Sequence, residues 1–238
     1  MFSFISNFFN FNLIHNVYFI CNTFVDIAIY DLFLVYIFGA KARWFQLHAL
    51  INFLIVLIVA KDTYYILKSP INNYSENCNH HDTIFVFSLH LYHMIMFNNV
   101  KTAEYIHHVI FIFCGVLPSY FLINSNILKL GYFSCCGLPG IVEYTTLALV
   151  KNNILESLDQ KKYMIYVYSY LRSPLSLTTC IINYILYTQN KIKDNIYFVA
   201  YINILVFINS AYYTKTTIEN YYKTLNLINQ KKNLNLNI

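Results

Sequence analysis

The sequence is poor in charge, glycine, proline and tryptophan. Its 238 residues include five Gly, four Pro and one Trp, and only 11% are Asp, Glu, Lys or Arg. Soluble domains carry about 25% charged residues, and a soluble chain with half that charge could not cover its own surface. The scarcity of Gly and Pro also excludes collagen-like and linker architectures. The composition therefore excludes an ordinary soluble domain.

The six cysteines do not form the pattern of a disulfide framework, because Cys78 alone falls in a predicted loop. We expect the adjacent Cys135 and Cys136 to be packing residues rather than metal ligands. Basic residues stand singly, and no Lys/Arg block resembles a nucleic-acid patch. The sequence thus predicts no nucleic-acid partner.

What the chain has in abundance is hydrophobic residues, 58% of the total, in blocks close to the roughly 17–25 residues of a membrane span. We predict an all-α, polytopic transmembrane helix bundle of about seven spans. They are placed at 17–39, 44–60, 83–97, 104–123, 129–150, 163–188 and 195–213. No Lys or Arg occurs in the first 40 residues, so the first block lacks the basic region of a signal peptide and is expected to be a retained span.

This arrangement predicts a short non-cytosolic segment over 1–16, a membrane domain over 17–213 and a cytosolic, Asn- and Lys-rich tail over 214–238. Loops on the N-terminal side carry five lysines against ten Lys or Arg on the other side. The five are Lys61, Lys68, Lys129, Lys191 and Lys193. The positive-inside rule then predicts a lumenal N-terminus and a cytosolic C-terminus. The sequon at Asn73 falls in a non-cytosolic loop, where glycosylation is compatible with this topology.

Several ionisable residues fall inside predicted spans. They are Asp26, Asp31, His48, His90, His93, His107, His108, Glu143 and Arg172. A charged residue at mid-bilayer costs about 2.5–3.5 kcal/mol on insertion scales, so such residues usually face a cavity or each other. At about 1.5 Å per residue, all except Asp26 lie about 5–13 Å from the cytosolic face. We therefore predict that they converge in the cytosolic half of the bilayer.

Simpler interpretations remain open for some of these residues. Asp31 could pair only with Arg172 or Lys41, His48 could be interfacial, and Arg172 could snorkel to the cytosolic surface. The helix prolines are a separate signal. Pro118, Pro139 and Pro174 all lie inside predicted spans, where each removes a backbone donor and predicts a kink.

A paired-histidine motif occurs at residues 102–108, TAEYIHH. It resembles the signature of the TLC domain, a family shared by ceramide synthases, translocon-associated TRAM proteins and related lipid regulators. In that family an acidic residue follows one helix later, where this chain has Glu143. The segment from Arg43 with His48 and Asn52 resembles the start of the domain, so the likeness covers about 41–213. Phe111 stands where ceramide synthases usually carry Thr, which places the chain nearer to the small, non-synthase branch.

The resemblance implies a protein of the endoplasmic reticulum or a related endomembrane that acts in lipid metabolism or homeostasis. Its partners would be membrane lipids, among them a long-chain lipid substrate. A ceramide-synthase-like reaction would pass an acyl group from acyl-CoA, the one co-substrate expected, to a sphingoid base. His107 or His108 would be the general base or transient acyl acceptor, and Glu143 would stabilise the imidazolium. The residues expected to bind substrate are His48, Asn52, His90, His93 and Arg172.

Two other functions are compatible with the same residues. The TLC family includes non-catalytic members, so the chain could be a lipid sensor or chaperone. Alternatively, a single metal ion could be held by Glu143 and the imidazoles of His90, His93, His107 and His108, because imidazole suits zinc and iron.

Overall fold

The computed structural model of the protein describes residues 13–76, 78, 80–97 and 102–236, and within them every regular element is a helix. The long helices are α1 (Leu13–Phe38), α2 (Arg43–Lys68), α3 (His81–Met96), α4 (102–122), α5 (Ile127–Lys151), α6 (157–188) and α7 (Ile196–Leu236). A single helical turn, Pro70–Asn73, follows α2. The predicted segment 1–16 lies mostly outside the described residues. The all-α prediction is confirmed for the part of the chain that is described.

In the part of the chain that the structure describes, five helices are long and apolar enough to cross a membrane, which makes the chain a multi-pass membrane protein. They are Val17–Phe38, Arg43–Lys68, Glu104–Leu122, Ile127–Lys151 and Ile196–Lys231. The other two predicted spans coincide with α3 and α6. However, α3 has only 16 residues, and α6 opens with the polar run DQKK at 159–162. The count of seven spans therefore depends on these two helices.

Large apolar side chains cover the outside of the bundle. Leu32 on α1 is 67% exposed and Leu57 on α2 is 58% exposed. Contiguous apolar surface of this kind marks contact with a membrane or a partner rather than with water.

Three helices extend well beyond their predicted spans. Helix α2 continues to Lys68, so Lys61 and Lys68 lie in the helix and not in a loop as predicted. Helix α6 begins at Ser157, and α7 runs unbroken through the predicted tail. Lys161 Nζ donates to Thr224 Oγ1 at 2.6 Å, which joins the added turns of α6 to those of α7.

Helices α4, α5 and α6 each contain a π-helical stretch that ends two residues before a proline. The pairs are His108–Val116 with Pro118, Phe133–Gly137 with Pro139, and Tyr168–Arg172 with Pro174. Proline lacks an N–H, and its ring clashes with the carbonyl four residues earlier in an α-helix. A wider π turn gives that carbonyl room, and such turns are frequent at functional sites. Each proline that was predicted to disturb its helix is therefore preceded by a π-helical stretch.

The loops predicted on the N-terminal side lie at one end of the bundle. Asn126 Nδ2 donates to the Asn73 carbonyl at 2.9 Å, and Asn124 N donates to Asp194 Oδ1 at 2.9 Å. The sequon asparagine is engaged here as well, since Asn73 Nδ2 donates to the Tyr65 carbonyl at 2.9 Å. The loops after α2, α4 and α6 thus meet at one end of the bundle, as expected for helices that cross a membrane in alternating directions.

Lys129 is the exception to its predicted loop position. It lies in the first turn of α5 and is buried, and its Nζ donates to the carboxylate of the fully buried Asp82. Asp82 stands one residue before its predicted span and Lys129 at the first residue of its own, so neither was among the intramembrane charges considered for pairing. Because its charge is matched by Asp82, Lys129 adds little to the charge asymmetry that predicts the orientation.

Candidate functional site

Five imidazoles from three helices form one contact group, the histidine cluster: His48, His90, His93, His107 and His108. The ring of His90 lies 5.8 Å from that of His48 and 6.1 Å from that of His107. The ring of His108 lies 5.2 Å from that of His90 and 5.1 Å from that of His93. The spacing of three residues puts His90 and His93 on neighbouring positions of one helix face.

Aromatic side chains hold the cluster on its α2 side. The indole of Trp44, the one tryptophan in the chain, has its ring centroid 3.4 Å from that of His48 and 3.4 Å from that of His93. Tyr144 packs on the other side of His48, at 4.4 Å between centroids. His48 is therefore enclosed by protein side chains and buried.

Two imidazoles are anchored to the helix turn before them. His90 Nδ1 lies 2.7 Å from the Val86 carbonyl, and His108 Nδ1 contacts the Glu104 carbonyl. A hydrogen bond to a carbonyl places the proton on Nδ1, which leaves Nε2 with its lone pair in the neutral ring. Nε2 of His108 is buried and has no hydrogen-bond partner among the described residues. A lone-pair nitrogen in this state can accept a proton or a ligand's hydrogen bond.

A cavity of about 180 Å³ lies between helices α2 to α7. Its polar end is lined by His48, His90, His107, Glu143 and Arg172. The rest of its lining includes Val116, Ile127, Leu128, Val199 and Ile202, with the polar side chains of Ser119, Thr179, Asn183 and Asn203 among them. His107 and Ser119 line it 12 residues apart along α4, a separation of at most about 18 Å, because the π-helical stretch between them rises less per residue than an α-helix. That length is comparable to one leaflet, half of a hydrocarbon core about 30 Å thick.

Most of the predicted site residues reach this cavity. Those that line it are His48, Asn52, His90, His107, Glu143 and Arg172. His93 and His108 are outside the lining and contact it through the rings of His48 and His90. The two members of the paired-histidine motif thus occupy different positions, with His107 facing the cavity and His108 behind it.

Glu143 does not contact the paired histidines. Its carboxylate accepts a hydrogen bond from the Tyr168 hydroxyl, and none from His107 or His108 in the described part of the chain. The role predicted for Glu143, stabilising an imidazolium, is not expressed as a contact in this structure and stays a prediction.

Arg172 is 95% buried, with only 5% of its surface exposed. Its guanidinium lies 4.8 Å from the ring centroids of Tyr168 and Tyr213, and Nη2 donates to Asn209 Oδ1 at 3.0 Å. Nε is buried and has no hydrogen-bond partner among the described residues. The interpretation that Arg172 snorkels to the surface is therefore wrong.

The alternative partners suggested for Asp31 are also wrong. Its fully buried carboxylate pairs with Arg43, whose Nε lies 2.8 Å from both oxygens, rather than with Arg172 or Lys41. The Tyr92 hydroxyl donates a further bond to Asp31 at 2.6 Å. This group ties α1 to α2 and α3, and it leaves Arg172 without a carboxylate.

Sequence reasoning missed three tyrosines of the site. Tyr144 follows Glu143 directly, Tyr168 lies one helical turn before Arg172, and Tyr213 contacts both Arg172 and His107. Position on the same helix face was the available signal for Tyr168. With 23 tyrosines in the chain, that signal did not stand out.

Within the described residues, no group of three or more His, Cys, Asp or Glu side chains has the geometry to hold a metal ion. The single-metal alternative therefore gains no support from the arrangement of the histidine cluster. Comparisons with protein-family models, curated proteins and solved structures found no match to this chain. The resemblance to the TLC domain thus depends on the short motifs around His48, His107 and Glu143.

Proposed function

We propose that this chain is a lipid-handling membrane protein that holds a long-chain lipid in the cavity and acts on it through His107. The observation that carries the proposal is a single cavity whose lining joins His48, His107 and Arg172 to many apolar side chains. An apolar pocket with a few convergent polar groups is the usual form of a small-molecule site. A lipid tail would lie along the apolar part of the lining, and the headgroup would lie among His48, His107 and Arg172. The compartment we propose is the endoplasmic reticulum or a related endomembrane.

The reaction we propose is N-acyl transfer from acyl-CoA to a sphingoid base, as the resemblance to ceramide synthases implies. The amine nitrogen attacks the thioester carbonyl, forming the C–N bond as the C–S bond breaks. His107 takes the proton from the amine and returns it to the departing thiolate. Its position on the cavity wall, with a buried Nδ1 that has no hydrogen-bond partner in the described residues, supports this role. His108, anchored to the Glu104 carbonyl, would be a positioning residue.

A second candidate is a non-catalytic lipid sensor or chaperone. The engagement of Glu143 with Tyr168 favours it, because a catalytic imidazole is usually oriented by a carboxylate or carbonyl. His107 has no such orienting partner in the described residues.

The test is expression in cells that lack their own ceramide synthases, with lipids measured by mass spectrometry. Wild type should form ceramide, and His107→Ala should reduce its formation by about 10²–10⁴-fold, the usual contribution of a general base. His81→Ala, which removes an exposed imidazole outside the cavity, should leave it unchanged. If wild type makes no ceramide but co-purifies with a lipid that His107→Ala loses, the sensor function replaces acyl transfer. Equal lipid profiles for both proteins would overturn both functions.

The topology we propose has seven spans, a lumenal N-terminus and a cytosolic C-terminus. It is supported by the Lys/Arg asymmetry of the loops and by the helical state of α3 and α6, the two shorter or more polar spans. A reporter fused after residue 238 should be accessible from the cytosol, and one fused before residue 1 should be protected. Accessibility of both from the same side would contradict an odd number of spans.

A further inference from the structure

We propose that the headgroup accepted by the cavity is anionic, and that Arg172 binds it. The ligand class is a single-chain amphiphile that ends in a carboxylate or a phosphate. The inference rests on the proposed lipid-binding cavity, but it does not depend on whether His107 catalyses acyl transfer.

Arg172 is a buried charge without a carboxylate partner. Arginine stays protonated in proteins, and a buried ion that lacks a partner is strongly unfavourable. The other buried charges of the bundle follow the expected pattern, since Asp31 pairs with Arg43 and Asp82 pairs with Lys129. Among the described residues, Arg172 forms no ion pair. An anion bound in a cavity beside such a residue would form the ion pair that no described residue of the protein forms with it.

The neighbours of Arg172 contact its guanidinium mainly through ring faces, and in the described structure they accept one hydrogen bond from it. The rings of Tyr168 and Tyr213 contact the guanidinium, each at 4.8 Å, and Asn209 accepts one hydrogen bond. A guanidinium has five N–H donors, and the buried Nε–H has no acceptor in the described structure. Arg172 therefore presents donors in the fork geometry that matches carboxylate and phosphate.

No other ionisable group at this end of the cavity forms an ion pair with Arg172 in the described structure. Glu143 is the one carboxylate in the lining, and its carboxylate is engaged by Tyr168 rather than paired with Arg172. His48, His90 and His107 add imidazoles, which can donate hydrogen bonds to an anion. A sphingoid base would have to enter as the neutral amine, the form that attacks a thioester, because a protonated amine placed here would meet the charge of Arg172.

The length of the cavity is compatible with one chain. Its lining includes Val116, Leu128 and Val199 beside the polar Asn183 and Asn203, and its extent of at most about 18 Å along α4 is close to the thickness of one leaflet. A carboxylate or phosphate at Arg172 would place the tail of a single-chain lipid along this apolar part.

The experiment compares three ligands with the same tail, palmitate, hexadecyl phosphate and hexadecanol, on the purified full chain in nanodiscs. Both anions should bind about tenfold or more tightly than the alcohol, because a carboxylate or phosphate pairs its charge with the guanidinium and can accept two parallel hydrogen bonds, whereas the neutral hydroxyl accepts one. The tighter of the two anions distinguishes a fatty acid from a phosphorylated lipid. Arg172→Gln should abolish the preference and leave the affinity for hexadecanol unchanged. Lys151→Gln, which removes an exposed charge, should keep the preference.

Equal affinity for anion and alcohol in wild type, or a preference that survives in Arg172→Gln, would overturn the proposal. So would tightest binding by sphingosine that is lost in Glu143→Gln. If Arg172→Gln does not fold, Arg172→Lys keeps the charge but loses the fork, and an unchanged anion preference there contradicts the assignment. If none of the lipids binds, both the anion site and the proposed lipid-binding cavity are contradicted. If palmitate binds through Arg172 while no lipid is turned over, acyl transfer fails and the anion site stands.

Discussion

Tyr168 of α6 donates its hydroxyl hydrogen bond to the carboxylate of Glu143 on α5. The face of the same ring contacts the guanidinium of Arg172 at 4.8 Å from its centroid. Tyr168 is fully buried, so one tyrosine links both charged groups at the polar end of the cavity. It does so without bringing the two charges into an ion pair.

Removing that hydroxyl should destabilise the bundle. In Tyr168→Phe the Glu143 carboxylate loses its donor, and we expect a loss of about 1–3 kcal/mol in the free energy of unfolding, as for a bond to a charged group. The measurement is chemical or thermal unfolding of the purified protein. Tyr170→Phe is the matched control, because Tyr170 is 77% exposed and its substitution should have no effect. Equal effects of the two substitutions would contradict the assigned bond.

A second prediction concerns pH at the opposite end of the bundle. His80 precedes α3, and both of its ring nitrogens are buried without a hydrogen-bond partner in the described residues. Burial lowers the pKa of His80 below its ordinary value of 6.5, with Asp82 acting in the raising direction and Lys129 in the lowering direction. The unfolded chain therefore binds the proton more tightly, and stability should fall as pH drops below about 6.5.

This contribution is complete above the unfolded pKa and is lost between that value and the lower folded pKa. His80→Gln should therefore flatten the dependence of the melting temperature on pH between about 7 and 5. The comparison variant is His81→Gln, which removes a neighbouring but exposed imidazole and should keep most of the slope. A His80→Gln slope equal to that of wild type would be the contrary result.

The Asp31–Arg43 pair gives a third prediction. The side chain of Asp31 is fully buried and that of Arg43 is 32% exposed, so Arg43→Gln strands a buried carboxylate at a cost of about 3 kcal/mol. The double variant Asp31→Asn/Arg43→Gln should be more stable than Arg43→Gln, because the uncompensated charge is gone. Lys41→Gln, an exposed charge beside the pair, should change little. Unfolding of wild type, Asp31→Asn, Arg43→Gln and the double variant forms the cycle, and simple additivity would contradict the coupling.

Helix positions were predictable because apolar blocks of span length are a strong signal. The errors lie at the ends. Lys61 and Lys68 look like loop residues, yet they are exposed on the last turns of α2 and need no buried partner. The start of α6 is polar, and its helical state depends on packing against α7, as the Lys161–Thr224 contact shows. A long-range contact of that kind has no local sequence signal.

The convergence of the histidines with Glu143 and Arg172 could be predicted because residue number fixes depth along a helix. The contact partners of these residues could not be predicted, because depth along a helix does not determine the direction in which a side chain leaves it. Asp31 therefore was assigned the wrong arginine, and Glu143 was expected beside His107 when Tyr168 takes its hydrogen bond. The π turn over Tyr168–Arg172 changes the direction of later residues again, which an ideal helix of 3.6 residues per turn does not anticipate.

The last prediction tests the packing that shapes the polar end of the cavity. Gly140 of α5 lies against Asn52 of α2, and a Cβ added at Gly140 would come within 3.1 Å of Asn52 Cγ and closer still to its Nδ2. Asn52 would have to move, and overpacking of this kind costs about 1–3 kcal/mol. Gly131 is the control on the same helix, because a Cβ there would lie 3.8 Å from Val206 Cγ2 and 3.9 Å from Thr179 Cγ2, ordinary contact distances. Gly131→Ala should be neutral or stabilising, since alanine favours a helix over glycine by about 1 kcal/mol. Unfolding should be measured for both variants, and palmitate binding for Gly140→Ala against wild type. We expect Gly140→Ala alone to lower stability, and to weaken palmitate binding as well because Asn52 lines the cavity. If the two alanines behave alike, close packing of α2 on α5 does not shape the site.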